Sequence, residues 1–354
     1  MEDMKDSATS RALASLMART PQRTIEHGER YVIFSDLHMG GGGRADDLLH
    51  NGALLRDLLA DWYYPRGDIL VLNGDIEELQ RFTMARIREQ WRSLYELFDR
   101  YREAGRFHKI LGNHDAVLRL HPHYPYELLD GLRLRAGELD FHLFHGHQSS
   151  SRYERDSFLI GLLLRYIATP LGIRNIANRR RLRQRFSIEQ AAYTYSRNAG
   201  VVSLIGHTHR TLFESLSRYD LVKFEIESLC REYPAADGRA RDYIEREVRA
   251  LRGELEKLTK KERRHSLHDS LYGDILPVPC LFNSGNCIGR KGLTCIELDR
   301  ESISLVYWFT EGHGKKFVSR GQYAIEALPN SPARRVVLNS DRLDYIQARI
   351  RLLA

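Results

Sequence analysis

The sequence predicts an α/β fold of four layers, α/β/β/α, in which two sheets pack face to face with helices outside and helical insertions between strands. Three observations predict it. Short β-branched or aromatic runs bounded by Gly, Asp or Asn recur from Tyr31 to Ile205 and read as buried strands. Three more strand-like runs follow Pro279, and the segments between and after the strands space apolar residues as helices do.

The first five runs are Tyr31-Val32-Ile33-Phe34, Ile69-Leu70-Val71-Leu72, Phe107-His108-Lys109-Ile110-Leu111, Phe141-His142-Leu143-Phe144 and Val201-Val202-Ser203-Leu204-Ile205. The motifs that accompany them are Asp36-Leu37-His38, Gly74-Asp75, Gly112-Asn113-His114-Asp115, His145-Gly146-His147 and Gly206-His207-Thr208-His209. A lone Asp-x-His or Gly-Asp is a weak signal; five ligand-bearing motifs in order are a strong one. As neighbouring strands of one sheet, the runs would align their carboxyl-terminal tips, where open α/β sheets place their sites. By contrast His27, His108, His121, His123, His142, His265, His268 and His313 stand alone and read as ordinary hydrogen-bonded imidazoles.

Gly40 to Gly43 and Arg44 follow the first motif directly. They read equally as a loop that a phosphate can approach, with Arg44 reaching an oxygen, or as a turn before a helix starting near Asp46-Asp47. Between the fourth and fifth motifs, the apolar stretch Phe158 to Ile173 precedes a basic block from Arg174 to Arg185. The stretch is interrupted and too short to span a bilayer. Three readings compete for 158–185: a helical cap drawing in an anionic substrate, favoured by its place between two ligand loops, a membrane-surface contact, or a nucleic-acid contact.

Beyond Thr211, residues Arg241 to Arg263 space Ile244, Val248, Leu251, Leu255 and Leu258 as a helix with a narrow apolar seam. With a preceding helix around Leu221 to Cys230 it would form a hairpin arm, packed on the chain's own body or pairing two copies as a homodimer. Pro279 to Asn283, Gly292 to Asp299 and Ser302 to Phe309 read as three strands completing a second sheet. Ser340 to Leu353 reads as a docked terminal helix.

Composition sets wider limits. The chain has 354 residues and 42% hydrophobic content, enough to bury a large core. The charged start Met1-Glu2-Asp3 lacks a secretory signal's apolar region, and four cysteines without C-x-x-C spacing read as free thiols, so the expected location is cytoplasmic or membrane-peripheral. No Gly-x-x-x-x-Gly-Lys-Ser/Thr loop or Gly-x-Ser-x-Gly elbow is present, which argues against ATP-driven chemistry and a serine nucleophile.

Carboxylate, imidazole and Asn carbonyl are hard to borderline donors suited to Mn, Fe, Zn or Co. Two such cations need a shared anionic bridge, and an Asp whose two oxygens face different ions serves; Asp75 is the expected bridge. Paired cations neutralise an anionic substrate while activating and aligning a water for in-line attack. The expected nucleophile is therefore hydroxide held by the cations.

The ordered motifs resemble the signature of the calcineurin-like metallophosphoesterase superfamily across residues 30 to 210, with an echo at Asn283-Ser284-Gly285-Asn286. The resemblance implies a metallophosphoesterase sandwich over residues 28–330, with a helical cap insert at 152–199 and a helical arm insert at 211–279, followed by a C-terminal segment at 331–354. It implies that Asp36, His38 and His209 hold one divalent ion, that Asn113, His145 and His207 hold the other, and that Asp75 bridges both, with Mn the first expectation. His114 would protonate the leaving oxygen, held by Glu78 or by Asp115, between which the sequence does not choose. In His145-Gly146-His147 the ligand is the imidazole before the Gly, His145, with His147 as the alternative that replaces it or sits at the edge of the site. The cap's position is similar to that in UDP-diacylglucosamine pyrophosphatase-like members, which however usually carry Arg at the place of His114 and Asp at the place of His147. The run Gly74-Asp75-Ile76-Glu77-Glu78 departs from the pattern of the Ser/Thr phosphoprotein phosphatases. The expected function is hydrolysis of a phosphate ester or pyrophosphate, with a nuclease and a non-catalytic metal-binding scaffold as alternatives.

Overall fold

Tyr31–Phe34 is buried at all its positions, as is Ile69–Asn73, which is what strands covered on both faces require. The computed structural model describes residues 2–149, 178–209, 211–213, 226, 229–230, 233–235, 238–264, 278–290, 292–314 and 323–354. In chain order the main unit contains α1 (Glu2–Arg19), β1 (Gln22–Thr24), β2 (Tyr31–Phe34), α2 (Gly52–Asp57), β3 (Ile69–Asn73), α3 (Met84–Gln90), α4 (Arg92–Glu103) and β4 (Phe107–Ile110). There follow β5 (Leu128–Leu129), β6 (Leu132–Ala136), β7 (Leu139–Leu143), α5 (Asn178–Ala199), β8 (Val202–Ile205) and β9 (Thr211–Leu212).

A second unit spans Glu214–Pro279 and contains α6 (Gly238–Arg264). The main unit resumes with β10 (Leu281–Ser284), β11 (Leu293–Leu298), β12 (Ser302–Thr310), β13 (Ile325–Ala327), β14 (Ala333–Arg342) and α7 (Leu343–Leu353).

Two sheets form the centre, ordered β13-β14-β12-β11-β2-β3-β4-β5 and β1-β6-β7-β8-β10-β9. On β2 and β3, Val32, Phe34, Leu70 and Leu72 join Leu55 of α2 and Leu94, Phe98 and Tyr101 of α4 in one cluster, so one helical layer covers that face. On the other side α1 packs on α5, which in turn packs on β8 and β10. The result is the four-layered α/β/β/α arrangement.

The five motif-bearing runs do not share one sheet, contrary to the sequence reading. β2, β3 and β4 are parallel neighbours in the larger sheet, whereas β7 and β8 are parallel neighbours in the smaller one. Most residues of each run are apolar, so residue type alone does not tell one sheet from the other. What joins the two tips is Asn73, whose amide donates to Phe144 O and Leu204 O, each at 3.2 Å. The three later strands also divide: β10 pairs with β8, while β11 and β12 extend the larger sheet beside β2.

Other differences are local. The helix expected near Asp46 begins at Gly52; Asp46 is instead buried and accepts from Gly42 N–H, Leu48 N–H and Trp91 Nε1. Ser340 to Arg342 finish β14, and the terminal helix starts at Leu343, burying Leu343, Ile346 and Ile350. In α6, Ile244 and Leu251 are buried and Val248 and Leu255 half-buried. Most of the helix expected at 221–230 lies outside the described residues, as do the cap residues 152–177 and most of the 158–185 contact region. Among the described residues no helix is long and apolar enough to cross a membrane.

Replacing Asn73 by Ala removes both amide bonds at the seam of the sheets, taking from Phe144 O its side-chain donor and leaving Leu204 O with Phe144 N–H. The expected cost is about 1–3 kcal/mol, read as a lower urea midpoint at unchanged slope.

Candidate metal centre

The loops that leave β2, β3 and β8 turn sharply, and the turns fall on the ligand-type residues themselves. Asp36, His38, Asp75, His207 and His209 have φ of 55°, 46°, 53°, 64° and 56°. Among the described residues Asn330 is the only other non-glycine with positive φ. Such conformations persist where the surroundings over-determine them. Here Asp36 N–H donates to Gly74 O and His38 N–H to Asp75 O, both at 3.0 Å, and Gly206 N–H donates to His145 O at 2.9 Å. Two glycines permit the approach: a Cβ on Gly112 would stand 2.1 Å from Asp75 Oδ1, and one on Gly74 would stand 2.4 Å from His145 Nδ1.

These turns gather two clusters of ligand atoms, Asp36 with His38 and His209, and Asp75 with His145 and His207. Asp36 Oδ1 lies 3.1 Å from His209 Nε2, and the Nε2 atoms of His38 and His209 are 3.3 Å apart. Asp75 stands between the clusters. Its Oδ1 accepts from His114 N–H at 2.8 Å, while Oδ2 is 3.1 Å from His145 Nε2, 3.8 Å from His38 Nε2 and 3.9 Å from His114 Nε2. Oδ1 is thus tied to the backbone of the neighbouring loop, and Oδ2 faces imidazoles of both clusters.

Two of the ligand-type imidazoles are aimed by their second nitrogen. His145 Nδ1 bonds Asn73 O at 2.9 Å, and His38 Nδ1 bonds Glu78 Oε2 at 3.0 Å, which leaves both Nε2 atoms toward the clusters. Glu78 also meets His114 Nδ1 at 2.9 Å. Asp115 does not take that role: its oxygens accept from Gly112 N–H at 2.7 Å and Ile76 N–H at 2.8 Å, pinning one ligand loop to the other. His114 is about a quarter exposed at the rim.

The donor set fits divalent cations. Asp36 Oδ1, Asn113 Oδ1 and His145 Nε2 are buried and make no hydrogen bond, a cost seldom tolerated without a partner such as an ion. Asp36 Oδ2, in contrast, is satisfied by Ser35 Oγ at 2.6 Å and His207 N–H at 2.9 Å. Burial resists charge on His145, but the Asp75 carboxylate outweighs it and pushes the imidazole up to about 9. Burial and the neighbouring His145 push His207 down to about 3.

His147 sits beside the clusters, its ring centroid 5.5 Å from that of His145 and 6.2 Å from that of His207, and belongs to neither ligand group. Arg44 is exposed. Sequence reasoning missed the supports: Asn283 Nδ2 donates to Gly206 O and Thr208 Oγ1, Asn286 Nδ2 donates to His209 O, and Ser284 Oγ meets Ser35 Oγ at 2.8 Å. The Asn283 to Asn286 motif was the available signal, since its polar side chains stand at the end of an apolar run.

Residues 29–211, just over half of the chain, match the family model described as calcineurin-like phosphoesterase. No curated protein matches the chain. Among solved structures, Yfce, a phosphoesterase from E. coli, is similar at 14% identity and TM-score 0.33, over 78% of this chain and 91% of that one. Vps29 from Entamoeba histolytica is similar at 12% and TM-score 0.35, over 88% and 99%. A conserved uncharacterized protein from Streptococcus pneumoniae, a predicted phosphoesterase, is similar at 11% and TM-score 0.27, over 79% and 88%.

A proton on His145 excludes a cation from Nε2, so metal affinity should rise with pH until about 9. Calorimetry of Mn²⁺ binding at pH 7 in two buffers of different ionisation enthalpy should show proton release; a heat independent of buffer would contradict it.

Proposed function

The chain belongs to the calcineurin-like phosphoesterase family, and from that premise we propose that it hydrolyses a phosphate ester or pyrophosphate bond at a centre of two divalent cations. The observation that carries this reading is Asp75 Oδ2, which lies 3.1 Å from His145 Nε2 of one ligand cluster and 3.8 Å from His38 Nε2 of the other. Asp36, His38 and His209 would hold one cation, and Asn113, His145 and His207 the other, with Asp75 shared. When bound, the cations supply charge neutralisation for the phosphate oxygens and lower the pKa of water; Mn, Fe, Zn or Co suits these donors.

The remaining work falls to this chain's own side chains. Glu78 grips Nδ1 of both His38 and His114, so one carboxylate aims a ligand and an acid together. With Nδ1 committed, His114 presents its Nε2 proton toward the substrate side. Burial opposes that charge, yet Asp75 and Glu78 outweigh it and raise the pKa of His114 above its ordinary value. A protonated imidazole at the rim is suited to give its proton to the leaving oxygen.

Stripped protein resupplied with Mn²⁺ should hydrolyse p-nitrophenyl phosphate or its bis ester, and Asp75→Asn should abolish turnover; wild-type protein without metal-dependent turnover on either would count against the reading. His114→Gln should lower kcat on an alkyl phosphate by about 10²–10⁴-fold but far less on p-nitrophenyl phosphate, whose leaving group needs no proton. Equal losses on both esters would remove His114 from the acid role.

A further inference from the structure

Behind the ligand loops lies a charged group that the proposed reaction does not use. Lys109, on β4, has a fully buried side chain whose Nζ is 2.6 Å from Glu77 Oε2 and 3.4 Å from Asp115 Oδ2. Glu77 and Asp115 are equally buried. Glu77 Oε1 accepts the hydroxyls of Tyr95 at 3.0 Å and Tyr124 at 2.7 Å, and the Tyr124 ring lies 5.8 Å below the ammonium. Every polar atom of the group thus meets a partner in a site closed to water.

Burying an ammonium and two carboxylates is expensive, and apolar residues of similar volume usually stabilise as well or better. A network retained against that cost needs a use, and fixing one conformation is the best attested. The connections say which. Glu77 follows Asp75 by two residues and precedes Glu78, while Asp115 follows Asn113 and His114. Asp115 already receives Ile76 N–H, and Asp75 receives His114 N–H. Lys109 bridges the same two loops from behind, so it sets how far the loop carrying Asn113 stands from the loop carrying Asp75.

We propose that Lys109, through Glu77 and Asp115, is a positioning residue that holds Asn113 and Asp75 at the separation the second cation requires; this rests on the two-cation reading above. The cluster of Asp36, His38 and His209 takes no ligand of its own from the 112–115 loop and is linked to it only through Glu78, which holds both His38 and His114, and through the shared Asp75, so the loss of Lys109 falls first on the second cation.

The test is the paired variant Lys109→Met with Glu77→Gln, which removes one charge of each sign and leaves an acceptor for both tyrosines. Mn²⁺ titration, thermal melting of the metal-free protein and steady-state hydrolysis are measured beside wild type. The expected result is a metal-free midpoint close to wild type, one Mn²⁺ bound as before, the other bound about 10–100-fold more weakly, and hydrolysis at limiting Mn²⁺ reduced by the same factor. A lowered midpoint with both affinities and kcat unchanged would mean a structural role only and overturns the proposal, as does a variant equal to wild type throughout. Wild-type protein that binds no Mn²⁺ overturns the two-cation reading and this proposal with it, which separates the two failures. Should the paired variant not fold, Tyr124→Phe, which deletes one hydrogen bond to Glu77 and keeps the ring, decides: selective weakening of one Mn²⁺ supports the proposal and equal affinities overturn it.

Discussion

The structure turns on the bond from His114 N–H to Asp75 Oδ1. It commits one oxygen of the carboxylate to the backbone of the neighbouring loop and leaves the other in the space where the two clusters meet. The same bond fixes the entry of the loop that carries Asn113 and His114. The residues proposed as bridge, ligand and acid are thus set by one contact, and Gly112 is required because any side chain there would occupy the carboxylate's place.

Holding five ligand-type residues in left-handed backbone has a cost. At about 1 kcal/mol for each, the lower end for strained conformers, the total approaches 5 kcal/mol, a large part of a domain's whole stability. Asp and His tolerate this region better than β-branched residues do, which favours the low figure. The offset comes from two directions. Strands buried on both faces leave the loops little freedom, and Ser35, Asn73, Asn283 and Asn286 satisfy the loop carbonyls and carboxylates from behind. Cations bound to the gathered oxygens and nitrogens would add to this, since binding to the folded state alone stabilises it.

The motifs were legible because ligand chemistry is written in residue type and recurs after each apolar run. The split of those runs between two sheets was not, because Val32, Leu70, Phe141 and Leu204 are equally buried and carry no mark of their neighbours. Glu78 and Asp115 both flank the site, and only the direction of their oxygens separates the one that grips imidazole from the one that grips backbone. The helix Glu2–Arg19 was not read: its buried Leu13, Leu16 and Met17 are few among charged and small residues. Lys109 was read as part of an apolar strand, yet a lysine at the centre of a buried run is itself a signal that a carboxylate waits behind it.

The most direct test of a shared Asp75 is diffraction from crystals of the Mn²⁺-loaded protein at the manganese absorption edge. Two anomalous peaks about 3.5–4 Å apart, one on each side of Asp75 Oδ2, are the result the geometry predicts. A single peak, or two peaks neither of which touches Asp75, would contradict it.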